Sequence, residues 1–165
     1  MIQRKKVMYE EDLHNIFYRF PYLLIDKPVS IINIIHEYKL DSNSIPDIYI
    51  ETLHEKYYCE IKLGVLKEID LYQAIRYLNT VKALSEINKI KDQKKSLVLL
   101  IGMNISSHLE HDAEKKSILV KIVGRNIPGS INICKKCRKA YDSKEFCCNF
   151  CNSEDYLEVI TLKYP

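Results

Sequence analysis

The 165-residue chain contains no tryptophan, only four glycines and five prolines, and a net charge of just +3. So few glycines, together with a hydrophobic fraction of 47%, exclude a disordered, collagenous or low-complexity chain. The near balance of 25 basic against 22 acidic residues excludes a polyelectrolyte that grips nucleic acid by charge alone. The longest apolar runs, residues 31–35 and 97–101, fall far short of the ~20 residues a spanning helix needs. No apolar core segment follows the charged opening Met1-Ile2-Gln3-Arg4-Lys5-Lys6, so no secretion signal is read. P-loop, G-x-G-x-x-G and Ser/Cys–His nucleophile patterns are all missing, which argues against a nucleotide cofactor. The expectation is a soluble cytoplasmic protein in a reducing compartment, with no membrane partner. Its length predicts one domain, or one domain with a small module.

What is present is patterned. Residues 9–20 place Leu13, Ile16, Phe17 and Phe20 on one helical face, and Pro21 ends that helix. The β-branched run 31–37 predicts a strand, and 41–46 is loop chemistry. Residues 47–52 and 57–62 alternate and predict a hairpin. A long helix over 67–90, with Ile75, Leu78 and Val81 along one side, leads into a basic exit loop of Lys89, Lys91, Lys94 and Lys95. Strands at 96–102 and 118–123 flank a short helix that Ser107-His-Leu-Glu110 opens as a capping box. Residues 124–130 read as a boundary. The order α β β β α β α β predicts an α/β fold: a mixed central sheet flanked by helices. The domains expected are 1–128 and a tail of 129–165.

With the hairpin turn at Leu53-His54, Ile48 faces Cys59, Tyr49 faces Tyr58 and Asp47 faces Glu60. Period-2 alternation sends Ile48, Ile50, Cys59 and Ile61 to one face and Asp47, Glu60 and Lys62 to the other. Hard oxygen ligands of this kind suit Mg²⁺ or Mn²⁺, and Lys62 would stand beside the metal to orient water or steady phosphate charge. The competing account is a solvated outer face with an incidental ion pair. Glu10 sits at the edge of the first helix's apolar face, while Glu11 points away. Gln73 and Tyr77 form an i, i+4 pair on the long helix, beside Arg76; ordinary helix packing is the competing account for them.

These residues resemble a known family. Pro46-Asp47 followed by Glu60-Ile-Lys62 is similar to the PD-(D/E)xK nuclease signature, and Gln73-Ala-Ile-Arg-Tyr77 to the Q-x-x-x-Y helix of its RecB-like branch. Glu10-Glu-Asp12-Leu13 and Phe20-Pro21-Tyr-Leu-Leu24 resemble the opening of the catalytic domain of NucS/EndoMS endonucleases. The resemblance covers roughly residues 8–125. It implies a restriction-endonuclease-like core that cuts DNA phosphodiesters with a divalent metal. Carried over, Asp47 and Glu60 are metal ligands, Lys62 is the catalytic lysine, Glu10 completes the acidic site, and Gln73 and Tyr77 position lysine, water or strand. A homodimer is expected of a double-strand cutter. This sequence departs from the family in three ways: no residues match the DNA-binding domain that precedes the catalytic one there, Phe20 replaces the usual Asn, and the hairpin is slightly shortened. A non-cutting DNA- or partner-binding module on the same fold is the alternative function. A junction resolvase or restriction-type enzyme is a third reading.

Five of the six cysteines crowd the last 32 residues. Cys134-Lys-Lys-Cys137 and Cys148-Asn-Phe-Cys151 are two knuckles that close a tetrahedral, structural Zn²⁺ site, so the tail reads as a zinc ribbon with a final strand over 157–162. It is too short and too poor in large apolar residues to fold without such a staple. Cys147 competes with Cys148 for the fourth position, and an iron–sulfur cluster or a disulfide pair are the other fates of these thiols. Lys135, Lys136, Arg138 and Lys139 crowd the first knuckle as nucleic-acid contacts or as a solvated basic turn; ribbons also dock proteins or form dimers. His108 and His111 share a helix face at i, i+3, whereas His36 and His54 have no spaced partners.

Overall fold

The computed structural model describes residues 1–25, 30–87 and 94–163. Strand β1 (Gln3–Lys6) comes first, then α1 (Glu10–Arg19). Asp12 accepts from the Met8 and Tyr9 backbone N–H groups at 2.9 and 2.8 Å, satisfying donors at the start of α1. Phe20 ends the helix, and Pro21–Leu23 form one 3₁₀ turn. Strands β2 (Ile31–His36), β3 (Ile48–Thr52) and β4 (Glu55–Ile61) follow as an antiparallel meander. Helix α2 (Glu68–Ile87) crosses to β5 (Lys95–Gly102), and α3 (Ser107–Lys115) crosses to β6 (Ile118–Ile122). These two strands extend the sheet in parallel from β4, in the order β2-β3-β4-β5-β6. The fold is therefore the expected mixed α/β sheet flanked by helices.

The hairpin register matches the alternation in sequence: Ile48 pairs with Cys59 and Tyr49 with Tyr58. One face carries Ile48, Ile50, Tyr57, Cys59 and Ile61 into a buried cluster with Leu13 and Phe17 of α1. The other face, with Tyr49 and Tyr58, is covered by Leu71, Ala74, Tyr77, Leu78 and Val81 of α2 and by Leu109 and Ala113 of α3. The outer face of the hairpin is thus packed beneath a helix and is not solvated.

The C-terminal residues build a second sheet from β7 (Ser130–Cys134), β8 (Ala140–Asp142) and β9 (Tyr156–Thr161). Its fourth strand is β1, which pairs in parallel with β9, giving the order β1-β9-β7-β8. Ile131, Ile133, Ile160 and Leu162 join the same buried cluster as Leu13 and Phe17. The sequence reading does not contain β1, because Gln3 to Lys6 are all exposed and show no apolar alternation. A lysine-rich edge strand is written in solvent-compatible residues.

Two local expectations are corrected. The cap of α3 is Ser106, whose Oγ accepts from the Leu109 N–H at 3.3 Å. Ser107 is already helical, and Glu110 binds Arg125 instead of turning back to close a capping box. In the basic exit loop, Lys89 and Lys91 lie outside the described residues, Lys94 pairs with Glu51, and Lys95 opens β5. Among the described residues, no helix is long and apolar enough to cross a membrane.

Candidate functional site

The end of the five-stranded sheet where β3 begins and β4 finishes gathers the charged residues. Asp47 immediately precedes β3, and its Oδ2 accepts from the Ile61 N–H at 2.7 Å, across the hairpin. Glu60, the residue before Ile61, is only 1% exposed. A carboxylate so deeply buried demands partners, and it has one on each oxygen. Lys62 Nζ lies 2.7 Å from Oε1, and the Tyr77 hydroxyl lies 2.7 Å from Oε2. Tyr77 comes from α2 and is fully buried. Its hydroxyl accepts from Gln73 Nε2 at 2.8 Å, and its proton is directed to Glu60, with the Ile45 carbonyl as a second acceptor at 3.1 Å. Glu10, at the first turn of α1, reaches in from the other face of the sheet. Its Oε2 accepts from the Leu63 N–H at 3.0 Å, and its Oε1 lies 3.7 Å from Lys62 Nζ.

Five of the six residues singled out in the sequence therefore form one connected group, and the sixth, Asp47, is set beside it by the Ile61 N–H. Lys62 stands among the carboxylates of Glu60, Glu10 and Asp47. Burial pulls its ammonium down, but the hydrogen bond to Glu60 and the charges of Glu60, Glu10 and Asp47 outweigh that and hold it above the ordinary lysine value. Asp47 is shifted the other way. Burial, then the negative charge of Glu60, raises its carboxyl to about 7, against the opposing Ile61 N–H and Lys62. Tyr77 is held above the usual tyrosine range by burial and by Glu60, so it stays a neutral donor. Cys59, behind the hairpin, is buried and pushed up by desolvation, and behaves as an apolar residue.

His14 also belongs to this group, and the sequence reading missed it. It stands one turn after Glu10 on α1, and its Nε2 lies 3.6 Å from Asp47 Oδ2. That nitrogen is buried without a hydrogen-bond partner, and the ring edge-packs on His36 at 5.8 Å. The i, i+4 spacing from Glu10 was the available signal. The main-chain partners, at Ile45, Ile61 and Leu63, have no side-chain signature at all. His108 and His111 pair with Asp112 and Glu114 on the exposed face of their own helix and take no part. A cleft of about 220 Å³ between β1, α1 and β9, lined by Lys5, Asp12 and Arg19, contains none of the six.

The cysteine centre lies in the second sheet. The sulfurs of Cys134, Cys137, Cys148 and Cys151 all fall within 4.8 Å of one another, with Cys134–Cys151 at 3.6 Å and Cys137–Cys148 at 3.5 Å. Tetrahedral thiolates on zinc stand about 3.8 Å apart, whereas a disulfide brings sulfurs to about 2.05 Å. The group is therefore compatible with a metal such as zinc. Cys148, fully buried, joins it, while Cys147 does not. Both knuckles repeat one backbone design: Arg138 and Asn152, each four residues after the knuckle's first cysteine, have φ of 61° and 57°. Their N–H groups bond back to the Cys134 and Cys148 carbonyls. Burial opposes the Cys134 thiolate, but the N–H groups of Cys137 and Lys136 pull it down to about 6.

Among the described residues, no second group of three such ligand atoms converges this tightly. Lys62 bridges Glu60 and Glu10, while Asp47, its Oδ2 on the Ile61 N–H, leaves Oδ1 directed to no protein partner in this group. That donor set fits a hard cation that keeps waters and borrows phosphate oxygens. Lys135, Lys136, Arg138 and Lys139 are exposed on the first knuckle. The knuckle meets the rest of the chain at Tyr22, past the C-terminal end of α1, while Glu10 begins that helix.

No protein-family model matches the chain, and no curated protein matches it. Among solved structures, the chain is similar to the crystal structure of a repair endonuclease from Pyrococcus abyssi, with a TM-score of 0.56 and 14% sequence identity. The match covers 71% of this chain and 47% of that one, so this chain spans about half the length of the protein it resembles. At that identity the likeness is one of fold.

Proposed function

We propose that the chain is a divalent-metal-dependent endodeoxyribonuclease of the PD-(D/E)xK type, related to the NucS/EndoMS catalytic domain, acting on mismatched, branched or otherwise structured DNA in repair, recombination or restriction. The observation that carries the reading is the joining of Glu60, Lys62, Gln73, Tyr77 and Glu10 into one bonded group, with Asp47 held beside it by the Ile61 N–H, on a fold like that of a repair endonuclease. Asp47 and Glu60 would hold Mg²⁺ or Mn²⁺, which when bound lowers the pKa of attacking water and offsets charge on the leaving oxygen. Lys62, kept as an ammonium by its three carboxylates, steadies the phosphate. Tyr77 fixes the rotamer of Glu60 through its donated proton, and Gln73 fixes Tyr77. Glu10 sets Lys62 from the side of α1. Residues 1–128 are the catalytic unit. Residues 129–165 form a zinc ribbon on Cys134, Cys137, Cys148 and Cys151, and its Lys135, Lys136, Arg138 and Lys139 contact DNA phosphate. The active form is a homodimer, one site per strand.

The test is cleavage by the purified chain of linear, mismatched, branched, four-way and single-stranded DNA, with Mg²⁺, Mn²⁺ or neither. Metal-dependent cutting that is lost in Asp47→Ala and Lys62→Ala supports the reading. No cutting of any substrate, or full cutting by both variants, overturns it.

A further inference from the structure

Helix α1, which brings Glu10 to the carboxylates, is fastened at both ends by the cysteine-bearing sheet. Ahead of it, β1 runs parallel to β9 from Gln3↔Glu158 to Lys6↔Thr161, and the Val7 N–H donates to the Thr161 carbonyl at 3.0 Å. Behind it, the Tyr22 hydroxyl accepts from the Ala140 N–H at 2.7 Å and donates to the Ala140 carbonyl at 3.3 Å. Ala140 is the first residue of β8, directly after the first knuckle. Phe150, inside the second knuckle, sets its ring edge-to-face on Tyr22 at 5.3 Å, and Lys139 lies over the Phe150 ring at 4.4 Å. Between the two fastenings, Leu13 and Phe17 pack in one cluster with Ile131, Ile133, Ile160 and Leu162. Helices α2 and α3 differ. They pack on the opposite face of the five-stranded sheet, in a cluster that contains no residue of β7, β8 or β9.

The fastening at Tyr22 is no stiffer than the knuckles behind it. Their interior is a small cluster of Cys134, Tyr141 and Cys148 with Cys137 and Cys151 against it. Apart from one tyrosine it is all sulfur, so apolar burial does not hold it together. Four thiols so close repel once ionised, and an ion turns that repulsion into the binding that folds the knuckles.

We propose that the four-cysteine site is a metal-dependent clamp on α1. With the ion bound, β8 and Phe150 fix Tyr22, β9 fixes β1, and the helix between them holds Glu10 against Leu63 and Lys62. With the ion lost, the Tyr22 end is released and α1 loosens, while the five-stranded sheet keeps α2 and α3. The importance of Glu10 for cleavage rests on the nuclease reading, but the clamp itself does not.

Hydrogen exchange on the full chain tests it, zinc-loaded and after treatment with a chelator selective for zinc over magnesium. The expected result is a loss of protection of about tenfold or more in the α1 amides from His14 to Arg19, with less than about twofold change in α2 and β5. Tyr22→Phe, zinc still bound, should show a smaller loss in the same α1 amides. Unchanged α1 protection after zinc removal overturns the clamp, and so does an equal loss across all helices, which would make the ribbon an ordinary part of a single cooperative unit. Cleavage run in parallel separates the two readings. If α1 loosens in a protein that cuts no DNA, the clamp stands and the nuclease reading falls. If the protein cuts and α1 ignores zinc, the reverse holds.

Discussion

The Tyr77 hydroxyl donates to Glu60 Oε2 at 2.7 Å between two side chains that water does not reach. A buried carboxylate oxygen that loses its donor bears its full desolvation cost, about 1–3 kcal/mol. Tyr77→Phe should therefore lower stability by roughly that amount in urea unfolding, and reduce cleavage because Glu60 is no longer fixed. Gln73→Ala should cost less stability, since Gln73 is half-buried and bonds to Tyr77 without touching the carboxylate. A Tyr77→Phe variant that unfolds like the wild type would show that the hydroxyl carries no weight in this site.

The hairpin register was legible because a period of two leaves no freedom: once Ile48 and Cys59 are apolar partners, Asp47 and Glu60 must lie on the other face. The cysteine centre was legible because each knuckle is a four-residue local unit whose C-x-x-C spacing suits two thiolates on one ion. What covers the acidic face was not legible. Whether Glu60 meets water or Tyr77 depends on how α2 returns over the sheet, a long-range fact without local signature. Strand β1 was invisible for the same reason: it pairs with β9 some 155 residues later and carries only exposed side chains. His14 fell between these cases. Its spacing to Glu10 is local, but a single histidine on an apolar helix face has no pattern until Asp47 arrives from another element.

Lys62 bridges Glu60 and Glu10, so its ammonium and a bound cation compete for the same oxygens. Lys62→Met removes one competitor. The variant should bind Mn²⁺ at least as tightly as the wild type by calorimetric titration, while its cleavage rate falls about 10²-fold or more. Loss of Mn²⁺ binding together with cleavage would mean that the lysine builds the metal site instead of serving the phosphate.

Cys148 is buried inside the sulfur group and Cys147, its neighbour, stands outside it. Cys147→Ser should keep one zinc per chain by metal analysis and leave the unfolding midpoint unchanged. Cys148→Ser should lower zinc affinity sharply and destabilise β7 and β8, because three thiolates leave the tetrahedron open. Equal zinc loss in both variants would show that the two cysteines exchange places on the ion.

Asp47 makes the site costly to keep without a cation. Burial, then the charge of Glu60, raises its carboxyl to about 7, whereas an unfolded aspartate titrates near ~3.9. Between those two values the folded chain holds the proton and the unfolded chain does not, so this group's contribution to stability declines as pH rises through that window. Its cost is absent in acid and complete above about pH 7, with an upper bound of roughly 4 kcal/mol. Asp47→Asn keeps an oxygen for the Ile61 N–H and removes the charge. In metal-free buffer the variant should be more stable than the wild type at pH 8, by about 1–3 kcal/mol, and no different near pH 4. Mg²⁺ should stabilise the wild type increasingly from pH 6 to pH 8, as the carboxylate becomes available, and should leave Asp47→Asn unmoved. Unfolding midpoints measured across pH, with and without Mg²⁺, decide the matter: an Asp47→Asn variant less stable than the wild type at pH 8 would mean that the carboxylate is stabilising in place.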